Sequence, residues 1–354
     1  MRTESARREE LKGVDVVPLV SELEEGYSAF LETRADALIY YSLPYRDLVS
    51  SYLGCEHRYL VALRDEQVIG VFPIMLRDGP FGRVLNSLPF FGSHGSPLAT
   101  DQTAQSELLS AFEREVEGAG VAAATVVENP MAPFIDAPTT HNLLDHRIGA
   151  WNDLQRQGAD ADSALLANAE SSVGRNIRRF LSAGGVVTAA PDAVEELHRL
   201  HRLHMQAIGG SEKSRSFFQS LHLHFDAETD YQIYLAGVGG VNIGALLVFY
   251  YGSTVEYFTP AFDRSRGDDQ PLAGLIISAM RDARARGYRW WNWGGSWASQ
   301  AGVQRFKKKW GATEVPYRYF SWLSNPEMPN QSLDDLLAEY PGFYLFPFSA
   351  FEEP

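Results

Sequence analysis

Two short patterns in this chain recur at one interval. Tyr59-Leu60-Val61-Ala62, followed by Val68-Ile69-Gly70-Val71, reads against Ile233-Tyr234-Leu235-Ala236, followed by Asn242-Ile243-Gly244-Ala245-Leu246. Gly70 and Gly244 are separated by the same number of positions as the triplets Pro97-Leu98-Ala99 and Pro271-Leu272-Ala273. A repeat of that length means two copies of one unit, each closing its own core. The chain has 354 residues, more than one core ordinarily serves. We therefore expect two α/β domains, residues 1–150 and 151–354. Each should run helices, a β-hairpin, a strand, a loop, a helix and a last strand. Met131 to Gln157 carries several polar breakers and is expected to link the halves.

In the first copy, Pro44 is placed to start a helix through Leu53. Tyr59–Leu63 and Val68–Leu76 read as a hairpin, Gly82–Phe91 as strand and loop, Ser106–Gly118 as a helix and Val121–Val127 as a strand. In the second, Ser171–Ala183, Asp192–Ile208 and Ser214–Phe225 read as helices. Tyr231–Ala236 and Ile243–Tyr251 form a hairpin around Gly237-Val238-Gly239-Gly240, and Thr254–Thr259 is a strand. Leu272, Leu275, Ile276, Ala279, Met280 and Ala283 mark an amphipathic helix closed by Gly287. Both Pro-Leu-Ala triplets stand where a helix should begin. The C-terminal Tyr340-Pro341-Gly342-Phe343-Tyr344-Leu345-Phe346-Pro347-Phe348 is expected to dock on the core of the second domain.

Net charge of −14 and a pI near 5.1 argue against broad, non-specific nucleic-acid binding. They leave room for a local basic groove. The single Cys55 excludes an internal disulfide and a multi-cysteine zinc site. His198, His201 and His204 recur every third residue and fan around their helix, so we assign no metal. Residues 1–10 have no apolar core of a signal peptide, and the longest apolar run, Ile243–Tyr251, is too short to cross a bilayer. The expected location is the cytoplasm, where aminoacyl-tRNA and coenzyme A thioesters are both present.

The chemistry centres on Trp290-Trp291-Asn292-Trp293-Gly294-Gly295-Ser296-Trp297 and the following Arg305-Phe306-Lys307-Lys308-Lys309-Trp310-Gly311. Alternation along a strand Tyr288–Trp293 sets Trp291 and Trp293 on one face and Asn292 on the other. Gly294-Gly295 should end that strand and offer backbone N–H groups to an oxyanion. Glu256 and Tyr257 are candidates for a base or an orienting group. Arg175, Arg178 and Arg179 share a helix and, with Arg305, Lys308 and Lys309, make a candidate phosphate-binding groove. His94, beside Ser93 in a turn-rich loop, is a candidate acceptor-binding residue. The bland alternatives are a core of tryptophans, solvated arginines and lysines, and a solvent-facing acid beside a core tyrosine.

The element order is similar to the acyltransferase fold of the GNAT type, here as two tandem domains, each a mixed, mostly antiparallel sheet flanked by helices. Such enzymes bind coenzyme A pyrophosphate on a Gly-rich turn before the central helix. Here that turn is Arg264-Ser265-Arg266-Gly267-Asp268-Asp269-Gln270, poor in glycine and with two acids that would repel a pyrophosphate. Together with Asn86-Ser87-Leu88-Pro89-Phe90-Phe91-Gly92-Ser93-His94-Gly95, the Phe306-Lys307 and Trp310-Gly311 pairs make residues 40–325 resemble FemABX-type aminoacyltransferases, whose motif is Phe-Lys-x-x-Phe-Gly. That resemblance implies transfer of an amino acid from aminoacyl-tRNA, as co-substrate, to an amine, with no other cofactor. It implies that Lys307 stabilises charge at the donor ester. From the residues themselves, Ser93, His94, Asn292, Trp293, Gly294, Gly295, Ser296, Trp297 and Phe306 are the candidate substrate-binding set. The helical arm of peptidoglycan-acting members is not apparent, so the acceptor is open among cell-wall, polysaccharide and natural-product intermediates. The second reading is a coenzyme A-dependent N-acyltransferase acting on an amino sugar or small metabolite. A third is a non-catalytic binding protein on the same scaffold.

Overall fold

The computed structural model describes residues 13–88, 94–132, 137–158, 160–297 and 299–347. The chain forms two compact units, residues 1–146 with 317–354, and residues 147–316.

The first unit begins with β1 (Asp15–Pro18), α1 (Glu24–Glu32) and α2 (Leu43–Leu53). Ser42 caps α2 by accepting from Tyr45 N at 3.3 Å, Pro44 sits in its first turn, and Gly54 at φ 60° ends it. After β2 (Glu56–His57) come β3 (Leu60–Arg64) and β4 (Gln67–Phe72), the expected hairpin, with Asp65 and Glu66 at positive φ in its two-residue turn. Then follow β5 (Met75–Gly79), β6 (Gly82–Asn86), β7 (Leu98–Ala99), α3 (Gln102–Val116) and β8 (Val121–Val127). The strands β1, β3, β4 and β7 make one antiparallel sheet. Pairing of β2 with β5, β5 with β6, and β6 parallel to β8 makes another. The core between them and α3 includes Phe72, Leu85, Leu108, Phe112 and Ala124. Pro97-Leu98-Ala99 does not open a helix. It leads into β7, because Asp101 supplies the cap: its Oδ1 accepts from Ala104 N at 3.0 Å and its Oδ2 from Arg64 Nη1 at 2.9 Å.

The region expected as a linker holds an eleven-residue strand, β9 (Leu143–Asp153), and the chain passes between units within it. The second unit continues through α4 (Ala161–Leu165), α5 (Ser171–Ser182), β10 (Val186–Ala189), α6 (Val194–Ile208), α7 (Arg215–Gln219) and α8 (Leu221–His224). The stretch read as one helix over 214–225 is two short ones. Next come β11 (Tyr231–Val238), β12 (Val241–Tyr251), β13 (Thr254–Phe262), α9 (Pro271–Ala285), β14 (Trp290–Trp297) and α10 (Ala301–Lys309). Strand order is β10-β11-β12-β13-β14-β9. Every pair is antiparallel except β13 with β14, which are parallel. The β11–β12 turn is Gly239-Gly240, at φ 62° and 79°, a conformation glycine adopts without strain. The core contains Phe180, Leu246, Val248, Leu275, Ile276, Met280, Trp291, Trp293 and Trp310.

The two repeat glycines do the same work. A Cβ on Gly244 would stand 3.0 Å from Pro271 Cβ and 3.1 Å from Leu275, and one on Gly70 3.0 Å from Leu108. Each lets a helix lie directly on its strand.

The last strand, β15 (Thr313–Leu323), carries the chain back to the first unit. There it pairs with β8 from Tyr319↔Val127 to Leu323↔Ala123, followed by α11 (Leu333–Glu339). The aromatic tail therefore docks on the first unit and not on the second. Tyr340 is buried, its hydroxyl donates to Gly82 O at 2.8 Å and accepts from Phe81 N at 3.1 Å. Among the described residues no helix is long and apolar enough to cross a membrane.

Candidate functional site

The parallel strands β13 and β14 pair only from Thr254↔Trp290 to Glu256↔Asn292. Past that point β13 continues with β12 as far as Phe262, while β14 breaks register with β9 between Asn292 and Gly295. The sheet splits beyond the Glu256–Asn292 pair. Both residues are buried, and Asn292 Nδ2 donates to Glu256 Oε2 at 2.8 Å. The other end of the same amide, Oδ1, accepts from Gly294 N at 2.8 Å. Gly294 stands at φ 72°, so the strand turns there without ending and runs on to Trp297. The Gly294 amide expected to face an oxyanion is thus already engaged, because a side chain two residues back satisfies it.

Trp291 and Trp293 do share a face, and it is packed. Trp293 lies 4.9 Å from Tyr257, 5.9 Å from Phe306 and 6.0 Å from Trp310, ring centre to ring centre. Its indole donates to Asn152 Oδ1 at 2.6 Å, and Asn152 Nδ2 donates to Trp310 O at 3.0 Å. Burial pushes the Tyr257 hydroxyl far above its ordinary range, so it stays protonated and is no base at neutral pH. Trp297 is partly exposed, with the Arg147 guanidinium 3.6 Å above its ring.

Lys307 is buried against the turn of β14. Its ammonium donates to Gly294 O at 2.9 Å, Gly295 O at 3.0 Å and Ser296 Oγ at 2.8 Å. Loss of hydration lowers its pKa from 10.5 to about 8.

A cleft of about 670 Å³ opens at the N-terminus of α9. Phe262, Phe306 and Trp310 give it an aromatic wall, Arg264 and Lys309 its cations, and Ser172, Asn176 and Gln270 its neutral polar groups. Gln270 precedes the helix at φ 59° and makes no side-chain cap, in contrast to Asp101 on α3. The two acids expected to repel phosphate are each matched: Asp268 with Arg179 at 3.3 Å and Asp269 with Arg266 at 2.6 Å. The glycine-poor turn therefore still borders an open, locally neutralised cleft. Among the expected cationic residues, Lys309 lines it and Arg179 meets its turn. Lys308 pairs with Glu314 at 3.6 Å, while Arg175, Arg178 and Arg305 face outward. Asn152 was not anticipated, while Arg264 and Gln270 lie in the turn that the sequence marked as repelling a pyrophosphate and not as lining a cleft.

His94 belongs to the first unit, fully buried, its Nδ1 3.2 Å from Glu128 O and its ring edge-on to Tyr317 at 4.8 Å. Such a ring is packed as a core residue. Ser93 lies outside the described residues. The histidines of α6 are engaged as well: His201 Nε2 accepts from Lys213 N at 2.9 Å, and His204 Nδ1 lies 3.2 Å from Phe262 O.

Residues 167–308, which lie within the second unit, match the acetyltransferase (GNAT) domain family model. The crystal structure of FemX aligns with a TM-score of 0.67 at 13% identity, over 89% of this chain and 99% of that one. The chain has the tandem GNAT fold of FemX. The C-terminal domain of a putative lysylphosphatidylglycerol synthetase from Agrobacterium fabrum aligns at 0.55, with 15% identity over 90% and 95%. A tandem GNAT protein from the clavulanic acid biosynthesis pathway aligns at 0.50, with 13% identity over 89% and 99%. No curated protein matches the sequence. The FemX likeness bears out the expected resemblance in fold, over nearly the whole chain.

Proposed function

We propose that the protein transfers an aminoacyl group from aminoacyl-tRNA to an amine, forming an amide, in the cytoplasm. The observation that carries this reading is the cleft at the N-terminus of α9. Arg264 and Lys309 suit the phosphates of a nucleic-acid end, and the aromatic wall suits the esterified sugar and the acyl chain. Phe306-Lys307 and Trp310-Gly311, the motif similar to that of FemABX enzymes, lie on α10 and just after it, and Phe306 and Trp310 border the same cleft.

In this mechanism the acceptor amine attacks the ester carbonyl from the far side of the split. The new N–C bond forms, the C–O bond to the ribose breaks, and the amine proton passes to Glu256 and on to the leaving oxygen. Asn292 holds the Glu256 carboxylate in place by its 2.8 Å bond. Tyr257, protonated, packs against Trp293 and is not the base.

One observation favours a second reading. With Asp268 and Asp269 both ion-paired, the turn before α9 no longer opposes a pyrophosphate. An acyl-coenzyme A donor fits that arrangement.

The test is transfer by purified protein from a total aminoacyl-tRNA pool, each amino acid labelled in turn, into a small-molecule extract. We expect a labelled amide that ribonuclease treatment abolishes. Transfer that survives ribonuclease and requires an acyl-coenzyme A selects the second reading. No transfer from either donor sinks both.

A further inference from the structure

The Lys307 ammonium carries three N–H donors and no acceptor. All three protons are taken, and all by one turn of β14: Gly294 O, Gly295 O and Ser296 Oγ. Nothing is left over for a substrate oxygen. The side chain is 5% exposed, and the cleft is lined by its neighbours Phe306 and Lys309 rather than by Lys307 itself. In a strand, successive carbonyls point to opposite sides. Here two consecutive ones converge on a single ammonium, at the place where register with β9 is lost.

The turn is held from its other side too. Gly294 N–H donates to Asn292 Oδ1, and the same Asn292 donates to Glu256. A continuous chain of bonds therefore runs from Lys307 through the Gly294 residue and Asn292 to the Glu256 carboxylate. Bonds from a cation to carbonyls in a dry setting are among the stronger ones in a protein.

We propose that Lys307 is a positioning residue: its ammonium fixes the turned end of β14 and, through Gly294 and Asn292, aims Glu256, and it does not touch the reacting carbonyl. This rests on the acyl-transfer reading only for the role of Glu256; the clamp itself does not depend on it.

The experiment compares Lys307→Met, which keeps length and apolar packing, with Ser296→Ala, which removes one acceptor and leaves the charge, and with the double variant. Two quantities are read: backbone hydrogen exchange of the segment Trp293 to Trp297, and kcat/KM against pH, whose acid limb reports the base. We expect faster exchange in both single variants and a displaced acid limb. Turnover should fall on the order of tenfold in Ser296→Ala and further in Lys307→Met. The double variant should match Lys307→Met, since both act on one turn. The proposal is overturned if Lys307→Met abolishes turnover with exchange unchanged while Ser296→Ala behaves as wild type. Lys307 would then act on the reacting atoms. Exchange unchanged in both single variants overturns it even without a working donor. Faster exchange with no turnover from any donor supports the clamp and removes the acyl-transfer reading instead.

Discussion

Glu256 accepts a hydrogen bond from Asn292 within the sheet, and a glutamine there can still accept it. Glu256→Gln should therefore leave the melting temperature close to wild type. It should lower kcat by about 10²- to 10⁴-fold, the usual worth of a positioned base; an active Glu256→Gln would remove Glu256 from the mechanism. The buried cations give a second expectation. Lys307 and Lys213 both have pKa values lowered to about 8 by burial. Between pH 8 and 10.5 the unfolded chain binds protons that the folded one has released, so stability rises with pH across that window, by up to ~1.4 kcal/mol per unit for each group. Denaturant titrations at pH 8 and pH 10 should show wild type gaining on Lys213→Met. His201 acts in the acid range. Burial, with Lys213 close by, lowers its pKa from 6.5 to about 3, so stability should fall as pH drops from 6.5 toward 3. His201→Gln should flatten that fall. At this scale the residue types were legible in advance: Glu256, Asn292, Gly294 and Lys307 all stand out in the sequence. Their bonds were not, because each depends on a strand pairing or a helix packing that no local pattern encodes. The Gly294 amide was the clearest instance, silenced by Asn292.

Helix α9 is the element that opens the cleft, and its seating on α5 is tight. A Cβ at Gly274 would stand 2.4 Å from the Phe180 ring. Gly274→Ala should thus destabilise the protein by about 1–3 kcal/mol, read as a lower denaturant midpoint, unless Phe180 finds another rotamer. Helix α10 supplies the aromatic wall, so Phe306→Ala should raise KM for the donor more than it lowers kcat. A fall in kcat with KM unchanged would mean that Phe306 acts on the transition state. Elements with strong local signals were readable: the hairpin β11–β12 with its paired glycines, α2 between Ser42 and Gly54, and α9 behind Pro271. The failures have separate causes. Strand β9 is rich in polar residues because only part of it is buried, and β14 runs through Gly294-Gly295 because side-chain bonds hold the turn. The 97–99 triplet became a strand because Asp101, not proline, starts the next helix. The cleft was missed since its charges looked repulsive before Arg179 and Arg266 were paired with the acids.

For the whole molecule, a net charge of −14 opposes any polyanionic donor at long range. Binding of aminoacyl-tRNA would then depend on the few cations at the cleft, and Lys309→Ala should raise its KM most at low salt, where screening is weak. The repeat made two units legible from sequence. It did not reveal that residues 317–354 return to the first, since strand partners far apart in sequence leave no mark on either. That return has a bearing on synthesis. A ribosome emits the chain from its N-terminus, and domains generally close as soon as their residues are out. Residues 147–316 are complete while β8 still lacks its partner β15 and the buried Tyr340 is still unmade. The unit that starts first should finish last, so a chain truncated at Pro316 and released from the ribosome should protect its second half from protease while leaving its first half open to cleavage.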